Sequence, residues 1–347
     1  MIPATEEELT DDENGQLYEH QRLVVDKGQV PLRIDKFMCE HLQHTSRNRI
    51  QKAADAGFVH VNEKPVKSNY KVRPGDVITL MLDRPQYDSS IEPEEILLNV
   101  VYEDSELMVI NKPAGMVVHP GCGNYHGTLV NAVAWHLRDV PGYDPNDPEV
   151  GLVHRIDKDT SGLLVVAKTP LAKTKLGVQF FNKTTHRSYN ALVWGNFVED
   201  DGRIEGNIGR DPKDRLRMAV FPPDSEIGKP AVTHYRVLQR FGYVTLVECI
   251  LETGRTHQIR AHMKHIGHPL FSDERYGGNE ILRGERCGTY QQFVRNCFKI
   301  CPRQALHAKT LGFVHPKTGQ QMDFTSELPD DMQMLIEKWQ KRVPVRE

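Results

Sequence analysis

The spacing of apolar residues divides the chain into a short helical region and a longer region of mixed pattern. In the first region, four apolar residues recur at helical spacing: Ile34, Phe37, Met38 and Leu42. A second helix is expected to begin after Ser46, a favourable N-cap, and to end at Gly57. Short apolar runs and a turn sequence at residues 62–65 follow, which favours a hairpin. Residues 31–82 are therefore predicted to form a small module of two helices and a hairpin.

Beyond residue 95, short apolar runs and helical patterns follow each other irregularly. Six runs are expected to be strands, at 100–102, 107–110, 152–154, 163–167, 188–193 and 243–247. Helical spacing occupies 128–137, 171–182 and 256–266. Since strands and helices do not alternate regularly, the pattern favours a mixed, mostly antiparallel sheet with flanking helices. We predict an α+β fold in which residues 96–330 form the larger domain.

The segments outside these two domains are polar or acidic. Residues 1–30 carry eight acidic side chains against Arg22 and Lys27, and they are expected to form an acidic tail and lead-in. Residues 83–95 are rich in proline and acidic residues, which is typical of a linker. Residues 331–347 are expected to be a C-terminal tail.

Composition excludes several classes of protein. Of the 347 residues, 39% are hydrophobic and 26% are charged, as in globular proteins. No apolar run approaches the roughly 18 residues that a membrane-spanning helix needs, and the acidic N-terminus does not resemble a secretory signal. The six cysteines include no C-x-x-C pair. We expect a cytoplasmic protein with reduced thiols and no membrane partner.

Charge is distributed unevenly along the chain. The whole chain has a formal net charge of -3, whereas residues 31–82 carry nine basic and five acidic side chains. A basic module of this kind is typical of phosphate binding, although charge alone fits a solvated surface equally well. The candidate RNA-binding residues of the module are Arg33, Arg47, Arg49, Lys52 and Lys64.

The densest polar cluster between two apolar runs is the segment from His154 to Ser161. A charged loop held between two strands is a common way for a rigid scaffold to present reactive groups. Asp157 and Asp159 both offer carboxylates, but aspartate is also an ordinary turn residue. The pattern alone leaves both interpretations open.

The string HRIDKDTSGLLV, residues 154–165, resembles the catalytic loop of the RluA-type pseudouridine synthases, whose signature reads H-R-L-D-x-x-T-S-G. Ile156 stands where that signature has leucine. The resemblance continues at 111–120, 187–195, 228–238, 252–273 and 306–319. Residues 33–76 are similar to a small RNA-binding domain shared by a ribosomal protein, certain tRNA synthetases and RNA-modifying enzymes. Together the similar segments extend over about residues 30–330.

The resemblance implies an isomerase that converts specific uridines to pseudouridine, without a cofactor, in RNA and above all in large-subunit (23S) ribosomal RNA. It implies that Asp157 acts at the ribose of a flipped uridine, that Arg260 pairs with this carboxylate, and that Tyr189 stacks on the base and moves the proton from carbon 5. Further RNA contacts are expected from Arg155, Arg255 and His257. The protein is expected to act as a monomer, during ribosome assembly.

Three alternatives to this interpretation differ in the residues that they require. A non-catalytic ribosome-assembly factor on the same fold would be favoured if any of the three catalytic positions had been replaced. A hydrolytic glycosidase would need a second carboxylate to activate water, and Asp159 is the near candidate. Zinc is disfavoured at the histidines and cysteines between 257 and 301, which lack the spacing of a ligand set.

The segment 279–304 resembles an insertion, and its role stays open between RNA contact and packing. The sequence also leaves open which uridine is the target and whether the intermediate is covalent or of the glycal type.

Overall fold

The computed structural model describes residues 18–42, 45–82, 91–121, 124–141, 143, 147, 150–214 and 216–342. The chain divides into two compact units, Met1–Ser90 and Ile91–Glu347. Within the described residues, no helix has the length and the apolar character needed to cross a membrane. The expected tail at 1–15 and most of the expected linker at 83–95 lie outside the described residues.

The first unit contains two helices and a four-stranded antiparallel sheet in the order β1-β4-β2-β3. Its elements are β1 (Tyr18–Val24), α1 (Ile34–His41), α2 (Arg47–Asp55), β2 (Val59–Val61), β3 (Lys64–Pro65) and β4 (Val77–Leu82). The Ser46 hydroxyl accepts the Arg49 N–H at 3.4 Å as the N-cap of α2, and Gly57 has a φ of +82° after its end. Both features agree with the sequence pattern.

The position of β1 differs from the expectation of an acidic lead-in. This strand pairs antiparallel with β4, and the residue after it, Val25, is buried in the core of the unit. Leu23 packs against the same core. The acidic residues nearby obscure this pattern, but two apolar side chains two positions apart are enough to hold a strand against a buried face.

The second unit is built on a ten-stranded sheet in the order β10-β9-β11-β12-β8-β13-β7-β6-β5, with β14 paired to β13. Its strands are β5 (Val100–Glu103), β6 (Leu107–Lys112), β7 (Ser161–Ala167), β8 (His186–Trp194), β9 (Asp201–Arg210), β10 (Met218–Phe221), β11 (Lys229–Arg240), β12 (Val244–Leu251), β13 (Leu306–Val314) and β14 (Gln321–Thr325). Its helices are α3 (Leu129–Leu137), α4 (Pro170–Phe181), α5 (Gln258–His265), α6 (Gly288–Ile300) and α7 (Asp330–Arg342). Among the strands of the described residues, only β7 and β13 are paired in parallel, so the predicted mixed, mostly antiparallel sheet is confirmed.

Two parts of this unit differ from the sequence prediction. The run 152–154 is not a strand and forms only an isolated bridge between Leu152 and Val166. The expected C-terminal tail contains α7, whose Leu335 and Trp339 are fully buried in a cluster with Trp194. An amphipathic helix with a large apolar face is stabilised by this burial, which the charged residues on its other face conceal in the sequence.

The segment 279–304 contains α6, which the sequence pattern did not predict. Tyr290, Val294 and Cys297 are fully buried on one face of this helix, in the same cluster as α7. This burial gives the segment a packing role. Within the described part of the chain, no three histidine, cysteine or acidic side chains form a group able to hold a metal ion.

Candidate active site

The loop that carries Asp157 runs from Gly151 to Thr160 and leads directly into β7. At its end, Gly162 has a φ of +114°, and a Cβ there would lie 2.3 Å from the Ala308 carbonyl oxygen of β13. Only glycine permits so close an approach of the two parallel strands in this conformation. The close pairing places the loop at the end of two central strands.

Three side chains hold the loop, of which Lys112 is fully buried. The Lys112 Nζ donates hydrogen bonds to the carbonyl oxygens of Pro113, Met116 and Lys158, at 2.7, 2.8 and 2.9 Å. Burial lowers the pKa of Lys112 to about 7. Because this one side chain joins the 113–116 turn to the residue after Asp157, it restricts the position of the carboxylate.

The second and third anchors act on either side of Asp157. The His154 Nε2 accepts the Val165 N–H at 3.0 Å and its ring stacks on Phe180 at 4.3 Å. Burial, with the nearby charge of Arg187, lowers the pKa of His154 to about 3, so the ring remains a neutral acceptor. Arg303 donates to the Asp159 carbonyl oxygen at 2.9 Å.

Asp157 forms an ion pair with Arg260 of α5, whose Nη1 lies 3.0 Å from Oδ2. The Asp157 side chain is 25% exposed, whereas the Arg260 side chain is 7% exposed. The other edge of this guanidinium is held by Asp273, which accepts from Nε at 2.7 Å and from Nη2 at 2.9 Å and is fully buried. Burial alone would lower the pKa of Arg260, but its hydrogen bonds to Asp273 and the charges of both carboxylates raise it above the ordinary arginine value. The sequence predicted this ion pair, and the structure contains it.

His257 lies near the same carboxylate oxygen, with Nε2 at 3.9 Å from Asp157 Oδ2. The Tyr276 hydroxyl accepts the Met218 N–H at 2.9 Å and lies 3.1 Å from His257 Nδ1. Burial lowers the pKa of His257 to about 4, so the ring is neutral near pH 7.

Tyr189 lies near the start of β8 and is 8% exposed. It lines the same cleft as Asp157, and within the described residues its hydroxyl has no hydrogen-bond partner. Burial raises the pKa of Tyr189, an effect that the charge of Arg187 partly offsets, and the hydroxyl stays protonated at neutral pH. The side chain can therefore face a base with both its ring and its proton.

The cleft between these groups has a volume of about 560 Å³, within the range of ligand-binding pockets. Of the described residues that line it, five are cationic and Asp157 alone is acidic. The five cations are Arg155, Lys183, Arg187, Arg255 and Arg260. This excess of positive charge suits a polyanionic substrate.

The three further candidates for RNA contact, Arg155, Arg255 and His257, all line this cleft. Arg155 is exposed, His257 faces Asp157, and the Arg255 Nε donates to the Pro230 carbonyl oxygen at 3.1 Å. Helix α5 begins at Gln258, two residues later than expected, because His257 adopts a left-handed conformation with a φ of 52°. Their contacts with RNA stay predictions.

In the first unit, Arg33 and Arg47 both bind the buried carboxylate of Asp35, each at 3.0 Å. Burial raises the pKa of Asp35, but its hydrogen bonds to Arg33, Gln51 and Arg47 lower it well below the usual range. The two arginine side chains remain 44% and 51% exposed. They therefore stabilise the junction of α1 and α2 and still present charge to solvent.

The other three candidates of this unit differ in exposure. Lys52 and Lys64 are exposed, whereas Arg49 is partly buried. RNA binding by these five residues stays a prediction.

Three residues that shape the site were not among the candidates predicted from the sequence: Lys112, Arg187 and Asp273. Each of them lies within, or at the end of, one of the segments that resemble the known family. The identity of a basic or acidic residue alone does not show which backbone group or side chain it contacts in the fold. Asp273 reaches Arg260 across 13 positions of sequence, through the turn that follows α5. Their roles become readable only from the tertiary contacts.

Comparison with known proteins supports the resemblance seen in the sequence, because two parts of the chain each match a protein family. Residues 106–265 match the family described as RNA pseudouridylate synthase, and residues 32–78 match the S4 domain. A protein of Chlorobaculum parvum named an uncharacterized RNA pseudouridine synthase is 46% identical over 317 residues, which span 91% of this chain and 96% of that protein. A ribosomal large subunit pseudouridine synthase D of Nitrosomonas europaea is 44% identical over 315 residues, spanning 91% of this chain and 86% of that protein.

The fold itself is found in a solved structure. Human RNA pseudouridylate synthase domain containing 4 superposes with a TM-score of 0.53 at 21% identity, covering 70% of this chain and 93% of that chain. From the identity to its bacterial relatives over most of its length, the chain belongs to the RNA pseudouridylate synthase family, as an isomerase of uridine in RNA with an S4 domain near its N-terminus.

Proposed function

We propose that this enzyme converts one or more uridines of large-subunit ribosomal RNA to pseudouridine, with Asp157 as the catalytic carboxylate. The observation that carries this proposal is the Asp157–Arg260 ion pair at 3.0 Å in a cleft that is otherwise cationic. The choice of ribosomal RNA rests on relatives named ribosomal large subunit pseudouridine synthase D, which are 39–44% identical to this chain. The S4 domain supplies a second RNA-binding unit.

The isomerisation requires cleavage of the bond between the base nitrogen and the ribose, rotation of the base, and bond formation from carbon 5 to the same sugar carbon. A stacked or paired uridine has to flip out before Asp157 can reach its ribose. We assign to Asp157 either nucleophilic attack on the sugar or proton abstraction from it, both of which need an ionised carboxylate. Arg260 supplies the counter-charge beside it.

Tyr189 completes the proposed set. Its ring can stack on the flipped base, and its hydroxyl can take part in moving the proton from carbon 5. Arg155, Arg255 and His257 are assigned to the RNA strand around the target. The enzyme is proposed to act as a monomer in the cytoplasm, on ribosomal RNA during assembly of the subunit.

The geometry favours an isomerase over a hydrolytic glycosidase. Hydrolysis at a sugar carbon uses two carboxylates, one on each side of the bond. Within the described lining of the cleft, Asp157 is the one carboxylate, since Asp159 does not line it. His257, which lies beside Asp157, is a neutral imidazole near pH 7 and not a second carboxylate.

The test is the release of tritium from RNA labelled at carbon 5 of uridine. Asp157→Asn keeps the shape of the side chain and loses its charge, so it is expected to fold and bind RNA but to release no tritium. Asp159→Asn is the matched control, because the same change on the same loop removes a carboxylate that lies outside the cleft. Activity of the Asp157 variant near that of the control would remove Asp157 from its proposed role.

The target is identified by mapping pseudouridine in RNA from cells with and without the gene. Loss of pseudouridine at defined positions of large-subunit ribosomal RNA is expected. Loss confined to another RNA class would keep the isomerase and replace its substrate.

A further inference from the structure

Arg187 is a buried arginine to which the proposed chemistry gives no role. It is the second residue of β8, two positions before Tyr189, and it is 8% exposed. Within the described residues, no carboxylate lies within 4 Å of its guanidinium and no oxygen accepts a hydrogen bond from it. Two other arginines near the loop differ, because Arg260 and Arg303 each hold a carboxylate with two nitrogens.

An unpaired buried cation is unfavourable in the free protein, since its lost hydration is not replaced. Burial of such a group is understandable if a ligand supplies the missing anion. Arg187 lines the same cleft as Asp157, so the group that it meets there is part of the substrate.

Two neighbours form a slot for the guanidinium. Its Cζ lies 5.4 Å from the centre of the Phe180 ring, which provides a cation–π contact. At Gly254, a Cβ would lie 2.8 Å from Nη1, so the absence of a side chain there makes room for the guanidinium. The planar fork is thereby held in place before any ligand arrives, which reduces the ordering that binding requires.

We propose that Arg187 binds a phosphate of the RNA backbone at or next to the flipped uridine. This inference rests on the proposed function, since it takes RNA as the substrate of the cleft. Arginine matches two phosphate oxygens with two parallel N–H groups, and Arg260 cannot serve this purpose because both carboxylates occupy it. Lys183, exposed at the edge of the same cleft, adds positive charge along the strand.

The first experiment measures binding of a fluorescent oligouridylate of about ten nucleotides to the full chain as a function of salt. Arg187→Gln is expected to weaken binding about 10- to 100-fold and to reduce the slope of log affinity against log salt by about 0.7, the value for one phosphate contact on a single strand. Arg187→Lys is expected to restore the slope and only part of the affinity, because lysine keeps the charge without the fork. Arg203→Gln, at an exposed position of β9 outside the cleft, is the control and should match the wild type.

Thermal unfolding separates this role from a structural one. A residue needed for folding would lower the melting temperature when removed, whereas loss of a buried unpaired cation should leave it unchanged or raise it. Gly254→Ala is the second variant, since its Cβ displaces Nη1 and keeps the charge. A few-fold loss of affinity with an unchanged melting temperature is expected.

The second experiment replaces single phosphates by neutral methylphosphonates in the shortest RNA that the wild type modifies. At one linkage near the target, the substitution should weaken binding of the wild type about tenfold or more and have no further effect on Arg187→Gln. Wild-type affinity and salt slope for Arg187→Gln, or no linkage at which the two changes interact, would overturn the phosphate site and leave the isomerase intact. Weaker oligouridylate binding by Arg187→Gln would support the phosphate site even if the wild type released no tritium from any RNA. That absence of tritium release would overturn the proposed function.

Discussion

Asp273 is expected to act through Arg260, and Asp273→Asn tests this positioning role. Asp273 is fully buried and accepts two hydrogen bonds from Arg260 and one from the Tyr276 N–H, at 3.2 Å. Asparagine fills the same space, but one of its two terminal atoms becomes a donor that faces a donor of the guanidinium. The variant thus loses the negative charge and one of the two hydrogen bonds that Arg260 donates to residue 273.

The size of the effect follows from burial. Removal of one partner from a buried ion pair costs about 3–5 kcal/mol, and the lower figure applies because Arg260 keeps its contact with Asp157. A guanidinium that is free to turn no longer fixes Asp157 against the ribose. Misplacement of a reacting group by about 1 Å can reduce the rate roughly 100-fold, so kcat should fall by about 10- to 100-fold while KM changes little.

The assay combines urea denaturation with steady-state tritium release. The matched control is Leu335→Ala, which removes a fully buried side chain of α7 and costs a similar 2–5 kcal/mol, in order-of-magnitude terms, outside the described lining of the cleft. Both variants should be destabilised, but only Asp273→Asn should lose kcat. Equal kcat values for the two variants, at a temperature where both are folded, would refute the positioning role.

Two further predictions concern pH and the S4 domain. His262 and His307 are fully buried, and burial lowers the pKa of each to about 4, so they stay neutral in the fold and gain protons on unfolding below pH 6.5. The free energy of unfolding should therefore decrease for each histidine by about 1 kcal/mol between pH 6.5 and 5.5, and by about 1.4 kcal/mol per pH unit below that until the pH approaches 4. Urea titrations between pH 6.5 and 5.5, above the main titration range of carboxylates, should show this slope, and a flat profile would contradict it. Deletion of residues 1–90 should weaken binding of structured ribosomal RNA and flatten its salt dependence, with a smaller effect on a short substrate, and an unchanged salt slope in filter binding would exclude this role.

The elements with a strong apolar period were predictable from sequence, and those with mixed polarity were not. Helix α2 begins after the N-cap Ser46 that the pattern indicates, and α3 lies within the helical spacing at 128–137. Strand β9 reads DGRIEGNIGR, in which only part of each face is buried, and it becomes a strand through its pairing with β11. Tertiary pairing of this kind has no local signal in the sequence.

The same division holds at the site. Asp157, Tyr189 and Arg260 could be located because their motifs resemble those of a known family. Arg187 and Lys112 became candidates only when their buried surroundings were known, since a basic residue in a sequence is far more often exposed than enclosed.

The contact between Arg303 and Asp331 has a consequence for synthesis of the enzyme. Arg303 holds the Asp159 carbonyl oxygen of the loop, and its own guanidinium is fixed by Asp331 at the start of α7, with Nε at 2.7 Å and Nη2 at 2.9 Å. A nascent chain that already contains Asp157 therefore lacks these contacts of the Asp157 loop until the ribosome has added α7. Activity should therefore appear only after α7 has been made and has folded against the rest of the unit.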